Sequence, residues 1–243
     1  MIPKVIHYCW FGGSPLPKSA EKYIESWKRY LPDYQIKRWD ESNFDVNMIQ
    51  YTKEAYSVGK YAFVSDYARF WIIHTYGGLY FDTDVEVIKP LNDILKRGAF
   101  LGVEYKDSIK ITVNPGLGFA APAGLSALKN LLDKYKHLHF INEQGEVCYK
   151  NIVEITTEYL LEKGLQNISE VQHCAGFMIY PVDYFCPIAY ETKEKCITNN
   201  TRTIHHFAES WLPKSTRLKN ALGRILGKKV MRLFVIIKGL LIK

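Results

Sequence analysis

The chain has 243 residues and a mass of 28.2 kDa, which is enough to bury a hydrophobic core without disulfide or metal support. With 47% hydrophobic, 14% aromatic and 23% charged residues, its composition excludes disordered, collagen-like and coiled-coil proteins. Five cysteines without a Cys-x-x-Cys pair argue against a disulfide framework and a zinc knuckle. We therefore expect reduced thiols in a cytoplasmic protein.

The formal net charge of +7 is concentrated at the end of the chain. Residues 214–243 contain nine of the 32 Lys and Arg residues and no Asp or Glu, so the rest of the chain holds fewer basic than acidic residues. A protein that binds nucleic acid needs a basic groove, which this distribution does not provide. We therefore expect no nucleic-acid partner.

Strand-like and helix-like patterns alternate along the chain. An apolar run predicts a strand at 5–11, and helical spacing of aromatic residues predicts a helix at 19–30 that ends before Pro32. The further predicted elements are, in chain order, strand 35–39, helix 61–76 closed by Gly77 and Gly78, strands 79–88, 99–104 and 116–121, and helices 125–135 and 152–162. This alternation indicates an α/β fold with a largely parallel sheet flanked by helices.

Acidic residues occupy every second position of the predicted strand 79–88, at Asp82, Asp84 and Glu86. In a strand this spacing places three carboxylates on one face. Such carboxylates call for a neutralising cation, and Mg²⁺ or Mn²⁺ accepts them together with substrate phosphates. The alternative is a solvated acidic face. The position near the end of a buried strand favours the metal and phosphate site, because open α/β sheets bind ligands at strand ends.

Two further groups of polar residues are candidates for the same site. Asp66 and Arg69 lie three residues apart on the predicted helix 61–76, where the ordinary interpretation is an ion pair within the helix. Their aromatic neighbours indicate a core position, where a charged pair needs a further partner such as a sugar or ribose hydroxyl. His205 and His206 are a metal-ligand candidate or a structural pair, and only one of two adjacent strand residues can face a metal.

Four motifs, in this order, resemble those of glycosyltransferase family 32, which includes capsular polysaccharide enzymes and, more distantly, the catalytic domains of large clostridial toxins. The motifs are Ile2-Pro3-Lys4-Val5-Ile6-His7 with Trp10, Ser65-Asp66-x-x-Arg69, Gly77-Gly78-x-Tyr80-x-Asp82-x-Asp84, and His205-His206-x-x-x-Ser210-Trp211. The resemblance implies a GT-A type nucleotide-sugar-binding fold with a central, largely parallel mixed sheet. It also implies a nucleotide-sugar donor, a Mn²⁺ or Mg²⁺ cofactor and retention of the anomeric configuration.

The resemblance also implies roles for individual residues. Trp10 would stack on the donor base, although a core tryptophan is the alternative, and Asp84 would be the direct metal ligand. The catalytic residues would be Arg69, Asp82 and Asp84; the metal-binding residues Asp82, Asp84 and His206; and the donor-binding residues Trp10, Ser65, Asp66, Arg69, Asp82, Asn114, Ser210 and Trp211.

The end of the chain differs from the rest. We expect one catalytic domain over 1–212 and an appended tail over 213–243, in which apolar residues at helical spacing lie opposite lysines and arginines. Such a basic amphipathic helix predicts binding to an anionic membrane surface, peripheral on the inner face of the cell membrane, unless it packs on protein instead.

The expected function combines these predictions. We expect metal-dependent transfer of a hexose, from a UDP-sugar in preference to GDP-mannose, to a saccharide or lipid-linked saccharide acceptor in capsule, exopolysaccharide or O-antigen synthesis. The alternatives are a nucleotide-sugar hydrolase and a non-catalytic basic peripheral membrane protein.

Overall fold

The computed structural model describes residues 1–148, 150–190 and 194–208. The strands are β1 (Val5–Cys9), β2 (Gln35–Trp39), β3 (Gly78–Tyr80), β4 (Val85–Val87), β5 (Phe100–Lys106), β6 (Ile111–Val113), β7 (Phe119–Ala121), β8 (Gln172–Cys174), β9 (Phe177–Tyr180) and β10 (Thr203–His205). The α-helices are α1 (Lys18–Tyr30), α2 (Gln50–Ser57), α3 (Tyr61–Tyr76), α4 (Asn92–Leu95), α5 (Ser126–Tyr135), α6 (Ile152–Glu162) and α7 (Val182–Phe185). The predicted α/β class and the predicted long helices are confirmed.

One mixed sheet forms the centre of the fold, with strand order β2-β1-β3-β7-β5-β9-β8 and β6 paired to β5. Strand β1 pairs in parallel with both β2 and β3, and β5 pairs in parallel with β9. The other pairs in this sheet are antiparallel. Because β1, β2 and β3 run in one direction, their carboxyl ends meet at one edge of the sheet, the place where open α/β sheets bind ligands.

The predicted strand 79–88 is wrong as a single element. It is two strands in two sheets: β3 lies in the central sheet, whereas β4 pairs antiparallel with β10 in a separate two-stranded sheet. Between them the chain turns, with the backbone N–H of Val85 donating to the carbonyl oxygen of Asp82 at 3.1 Å. The turn leaves Asp82 and Asp84 outside both strand ladders, where their side chains contact Arg69 and His205.

The sheet is buried on both faces. Successive strand residues point to opposite faces, so Leu79 and Phe81 pack in one apolar cluster and Tyr80 between them packs in the other. Helix α3 packs against α2, α5 and β1, and nine of its sixteen residues are buried, including Asp66 and Arg69. The helix ends at Gly77, whose φ of 65° is a conformation that glycine adopts without strain, as the sequence predicted.

Several predictions fall on residues that the structure does not describe. Ser210, Trp211 and the tail 213–243 lie outside the described residues, and so does the boundary at 212. Of the helices within the described part of the chain, none is both long enough and apolar enough to cross a bilayer.

Candidate active site

Two aspartates and one histidine converge beside the carboxyl end of β3. The ligand atoms of Asp82, Asp84 and His205 all lie within 4.8 Å of one another. The aspartates belong to the turn between β3 and β4, and the histidine is the last residue of β10. The antiparallel pairing of β10 with β4 places His205 opposite Val85 and therefore next to Asp84.

Asp84 is held from several directions. His205 Nε2 lies 3.2 Å from Asp84 Oδ1, and the backbone N–H of Ala208 donates to Oδ2 at 2.9 Å. Phe207 has a left-handed φ of 50°, and its ring packs 4.3 Å from that of His205. Burial acts to raise the pKa of Asp84, but the charge and hydrogen bond of His205 and the backbone bond lower it to about 2.

The structure brings His205, not His206, to the aspartates. His206 points the other way, with Nε2 2.8 Å from Glu86 Oε2 and its ring stacked 4.5 Å from that of Tyr23. Adjacent residues of a strand point in opposite directions, so the register of β10 decides which histidine faces Asp84. The structure thus places His205, and not the predicted ligand His206, beside the aspartates, and Glu86 lies outside this cluster although the alternation predicted it there.

Arg69 joins the helix to the aspartate turn. Its guanidinium contacts both carboxylate oxygens of Asp82, with NH1 to Oδ2 at 3.2 Å and NH2 to Oδ1 at 3.1 Å. The NH2 group also lies 3.0 Å from Asp66 Oδ1, which is the intrahelical ion pair. The further partner expected for a buried pair is thus Asp82. Ser65 contributes its carbonyl oxygen to Arg69 Nε at 3.2 Å, while its hydroxyl donates to the carbonyl of Tyr61.

The cluster contains more carboxylates than cationic groups. Burial raises the pKa of Asp66 to about 6, although the charge of Arg69 opposes this shift, and burial also raises the pKa of Asp82. Burial lowers the pKa of His205, but the charge of Asp84 outweighs this effect and raises it. Three carboxylates therefore share one guanidinium and one imidazole, and at least one carboxylate stays uncompensated.

The residues present fit a divalent cation. Two carboxylates and one imidazole are a donor set that Mn²⁺ or Mg²⁺ sites use together with substrate oxygens. The ring nitrogen Nδ1 of His205 is buried and has no hydrogen-bond partner in the described part of the chain. A cation beside Asp82 and Asp84 would compensate the excess negative charge of the cluster.

The segment after β6 completes this side of the site. Asn114 Oδ1 accepts a hydrogen bond from the backbone N–H of Gly116 at 2.6 Å, and Asn114 Nδ2 donates to Glu104 Oε1 at 2.9 Å. A Cβ atom at Gly116 would overlap the carboxylate of Asp82, so only glycine allows this close approach. Asn114 is thus brought to the site as predicted, whereas Glu104 was not predicted.

Comparison with known proteins identifies this part of the chain. The family model described as a glycosyltransferase sugar-binding region containing a DXD motif matches residues 17–101, and Asp82-Thr83-Asp84 is the DXD sequence within them. Residues 17–101 therefore resemble a glycosyltransferase sugar-binding region. This region contributes Asp66, Arg69 and both aspartates of the cluster, and β10 contributes the histidine from outside it.

Curated relatives match the chain in part. An uncharacterized glycosyltransferase of Acanthamoeba polyphaga mimivirus is 32% identical over 109 residues, which are 41% of this chain and 42% of the relative. Inositol phosphoceramide mannosyltransferase 3 of Schizosaccharomyces pombe is 29% identical over 152 residues, which are 57% of this chain and 40% of the relative. The chain thus spans about two fifths of the length of these relatives.

Solved structures show the fold. A glycosyltransferase involved in the glycosylation of the major capsid of PBCV-1 aligns with a TM-score of 0.52 at 15% identity, covering 86% of this chain and 95% of that chain. Mouse xyloside xylosyltransferase 1 aligns with a TM-score of 0.50 at 10% identity, covering 86% of this chain and 99% of that chain. The chain has the GT-A glycosyltransferase fold, as the sequence predicted.

Two aromatic residues, Trp10 after β1 and Tyr80 at the end of β3, lie at the sheet edge that carries the DXD sequence. Trp10 follows β1, is partly buried, and donates from Nε1 to the carbonyl of Ser14 at 2.7 Å. Tyr80 precedes the DXD sequence; its hydroxyl donates to Asp82 Oδ1 at 3.0 Å, and the Arg69 guanidinium lies 5.0 Å from its ring centroid. The motif Gly77-Gly78-x-Tyr80 was the only signal for this second residue, which the sequence analysis left without a role.

Proposed function

We propose that the chain is a metal-dependent glycosyltransferase that moves a hexose from a nucleotide sugar, a UDP-sugar in the first instance, to a saccharide acceptor. The observation that carries the proposal is the convergence of Asp82, Asp84 and His205 beside the buried Arg69. The DXD sequence supports it, because it lies in a glycosyltransferase sugar-binding region. The uncompensated carboxylates support it as well, since they suit a cation that arrives with a diphosphate.

The mechanism divides the work among the residues of the site. Asp82, Asp84 and His205 would hold Mn²⁺ or Mg²⁺, which supplies positive charge for the departing diphosphate. Arg69 fixes the orientation of the Asp82 carboxylate through two parallel contacts, so the ligand oxygens are positioned before substrate arrives. Asp66, which contacts Arg69, and Asn114, which binds the Gly116 backbone, are proposed to bind hydroxyls of the donor, as the resemblance to family 32 implies.

We infer that the reaction retains the anomeric configuration by front-face substitution. In this route the bond from the anomeric carbon to the diphosphate breaks as the acceptor oxygen bonds to the same face, and a diphosphate oxygen takes the acceptor proton. The resemblance to family 32 supports this choice. Nuclear magnetic resonance of the product bond tests it, because a product of inverted configuration excludes the route.

Trp10 is proposed as the platform on which the donor base stacks. Its place directly after β1, at the sheet edge that carries the DXD turn, supports this role. Trp10→Ala should then weaken UDP binding by about 1–3 kcal/mol, the range for stacking of a base on an aromatic side chain. A sharp fall in melting temperature with unchanged UDP affinity of the folded fraction would make Trp10 a core residue instead.

The acceptor is proposed to be a lipid-linked saccharide of capsule, exopolysaccharide or O-antigen synthesis. Two Schizosaccharomyces pombe relatives carry a lipid, inositol phosphoceramide, in their names. The basic tail 213–243 would bring the protein to the anionic inner face of the membrane. Deletion of 214–243 should leave donor hydrolysis intact and abolish sedimentation with anionic liposomes, and full-length protein that ignores such liposomes at low salt would contradict this.

The transferase proposal is tested on the purified full chain. UDP-glucose, UDP-galactose, UDP-N-acetylglucosamine and GDP-mannose are incubated with Mn²⁺ or with a chelator, and release of the nucleoside diphosphate is measured with and without saccharide acceptors. We expect release from one donor that depends on Mn²⁺ and rises with an acceptor. Release that ignores the chelator contradicts the metal dependence, and free sugar without transfer to any acceptor indicates a nucleotide-sugar hydrolase.

A further inference from the structure

The hairpin formed by β5 and β6 has a bulge at Glu104. Val103 pairs with Val113 and Tyr105 pairs with Thr112, so two residues of β5 oppose one residue of β6. A bulge of this kind re-aims a side chain and is common next to active sites. Glu104 is the extra residue, and its side chain is partly buried.

The side chain of Glu104 is aimed at the site already described. Its Oε1 accepts a hydrogen bond from Asn114 Nδ2 at 2.9 Å, and Asn114 in turn accepts from Gly116, the residue against Asp82. The negative charge of Glu104 also acts on His205 from this side. The Glu104 carboxylate is therefore connected through Asn114 and Gly116 to Asp82, which Arg69 links to Asp66.

One oxygen of the Glu104 carboxylate, Oε2, has no partner among the described residues. Within the described residues no Lys or Arg lies within ion-pair distance of Glu104, and Oε2 has no hydrogen-bond donor there. The Glu104 side chain is only partly buried, so a ligand donor can reach Oε2 and form a charge-assisted hydrogen bond with it. A phosphate offers no such donor at neutral pH, whereas a sugar hydroxyl does.

We propose that Glu104 is a sugar-binding residue of this site. Oε2 accepts a hydrogen bond from a hydroxyl of the bound sugar, and Oε1 holds the Asn114 amide in the orientation that binds Gly116. The inference rests on the proposed transferase function, because it needs a saccharide in the site. Donor hexose and acceptor saccharide present the same hydroxyl chemistry, and the experiment separates them.

The test compares Glu104→Gln with wild type and with Asp107→Asn, which also changes a carboxylate to an amide on the same hairpin but at its exposed tip. The glutamine keeps an oxygen for Asn114 and removes the charge. For each protein we measure the affinity for UDP and for the UDP-sugar that wild type uses, donor hydrolysis without acceptor, and transfer to octyl glucoside and octyl galactoside.

We expect Glu104→Gln to leave UDP affinity and melting temperature unchanged and to lower kcat/KM for transfer at least about tenfold, the effect of losing a charge-assisted hydrogen bond. If the donor hexose is bound, hydrolysis falls too and the UDP-sugar binds no better than UDP. If the acceptor is bound, hydrolysis is unchanged and the KM for the acceptor rises.

Two results overturn the inference. In the first, Glu104→Gln matches wild type and Asp107→Asn in every kinetic constant while wild type turns over a UDP-sugar, so the transferase function stands and Glu104 only supports Asn114. In the second, wild type itself turns over no nucleotide sugar, and the transferase function fails together with the inference.

Discussion

Two carboxylate sites in the molecule, the cluster around Glu54 and the DXD cluster, differ in how their negative charge is compensated. In the cluster around Glu54 on α2, one carboxylate accepts hydrogen bonds from Gln50 Nε2 at 2.9 Å, His139 Nδ1 at 2.9 Å, and the backbone N–H groups of Phe140 and Ile141 at 2.7 and 3.1 Å. In the DXD cluster, three carboxylates share Arg69 and His205. The Glu54 site has four hydrogen-bond donors for one carboxylate, whereas the DXD cluster has two cationic groups for three carboxylates.

The pKa values follow this difference. Burial acts to raise the pKa of Glu54, but its four donors lower it to about 2. Burial raises the pKa of Asp66 to about 6 despite the nearby guanidinium. The Glu54 cluster thus contributes stability by fixing residues 139–141 to α2, whereas the DXD cluster carries a charge excess of the kind found where ligands bind.

The largest expected effect comes from removing Arg69, whose guanidinium pairs with Asp66 and Asp82 in the DXD cluster. Arg69→Met leaves Asp66 and Asp82 without their partner, so the free energy of unfolding should fall by about 3–5 kcal/mol. Urea unfolding measures it. The control Lys134→Met removes the exposed ion pair with Glu162 and should cost less than about 1 kcal/mol. Equal losses of unfolding free energy in both variants would contradict the claim that the buried Arg69 pairs contribute more than the exposed pair.

The second effect is on turnover. Asp84→Asn removes one carboxylate of the DXD cluster and should lower donor turnover at saturating Mn²⁺ at least about a hundredfold, because a metal or charge-stabilising group is lost. Glu86→Gln is the matched control two residues away, outside the cluster and paired with His206. It should keep turnover within about threefold of wild type. Similar losses in the two variants would contradict the placement of the site.

The third effect tests the Glu54 cluster. Because the folded state lowers the pKa of Glu54, the unfolded state binds more protons between about pH 5 and pH 2, and this contribution to stability is present above that range and lost as the pH falls through it. Glu54→Gln should cost about 1–3 kcal/mol at pH 7 and approach wild type near pH 2. A difference that stays constant with pH would show that charge is not the cause.

The smallest expected effect tests the position of the Asp82 carboxylate without changing any charge. Gly116→Ala adds one methyl group against the Asp82 carboxylate and changes no charge. The carboxylate must move away from Arg69, so turnover should fall about tenfold, as for a displaced catalytic group. The melting temperature measured alongside should fall less than in Arg69→Met, because the guanidinium remains beside Asp66. Full activity in this variant would show that the orientation of Asp82 is not needed.

The elements that the sequence predicted correctly are those whose formation depends on residues close to one another in the chain. The helices at 61–76 and 152–162 match α3 and α6 because each is rich in apolar residues at helical spacing and has a clear stop or cap. Helix α2 was missed because eight residues give too little periodicity. Strands β6, β8 and β9 were missed because three or four residues show no periodicity, and their pairing depends on distant parts of the chain.

The site shows the same limit. Asp82, Asp84, Asp66 and Arg69 were predicted from motif spacing, and the structure brings them together. The choice between two adjacent histidines depends on the register of β10 against β4, which spacing does not contain. The position of Glu104 depends on a β-bulge, which is visible only in the pairing of β5 with β6 and not in the sequence. The pairing register between strands could therefore not be predicted from the sequence.

The most direct test of the DXD cluster uses the two histidines as each other's control. Thermal unfolding is followed for wild type, His205→Gln and His206→Gln as Mn²⁺ is raised, since a cation that binds only the folded protein raises the melting temperature with concentration. We predict that wild type and His206→Gln are stabilised by Mn²⁺ and that His205→Gln is not. Loss of the stabilisation in His206→Gln alone, or equal stabilisation of all three proteins, would contradict a metal site formed by Asp82, Asp84 and His205.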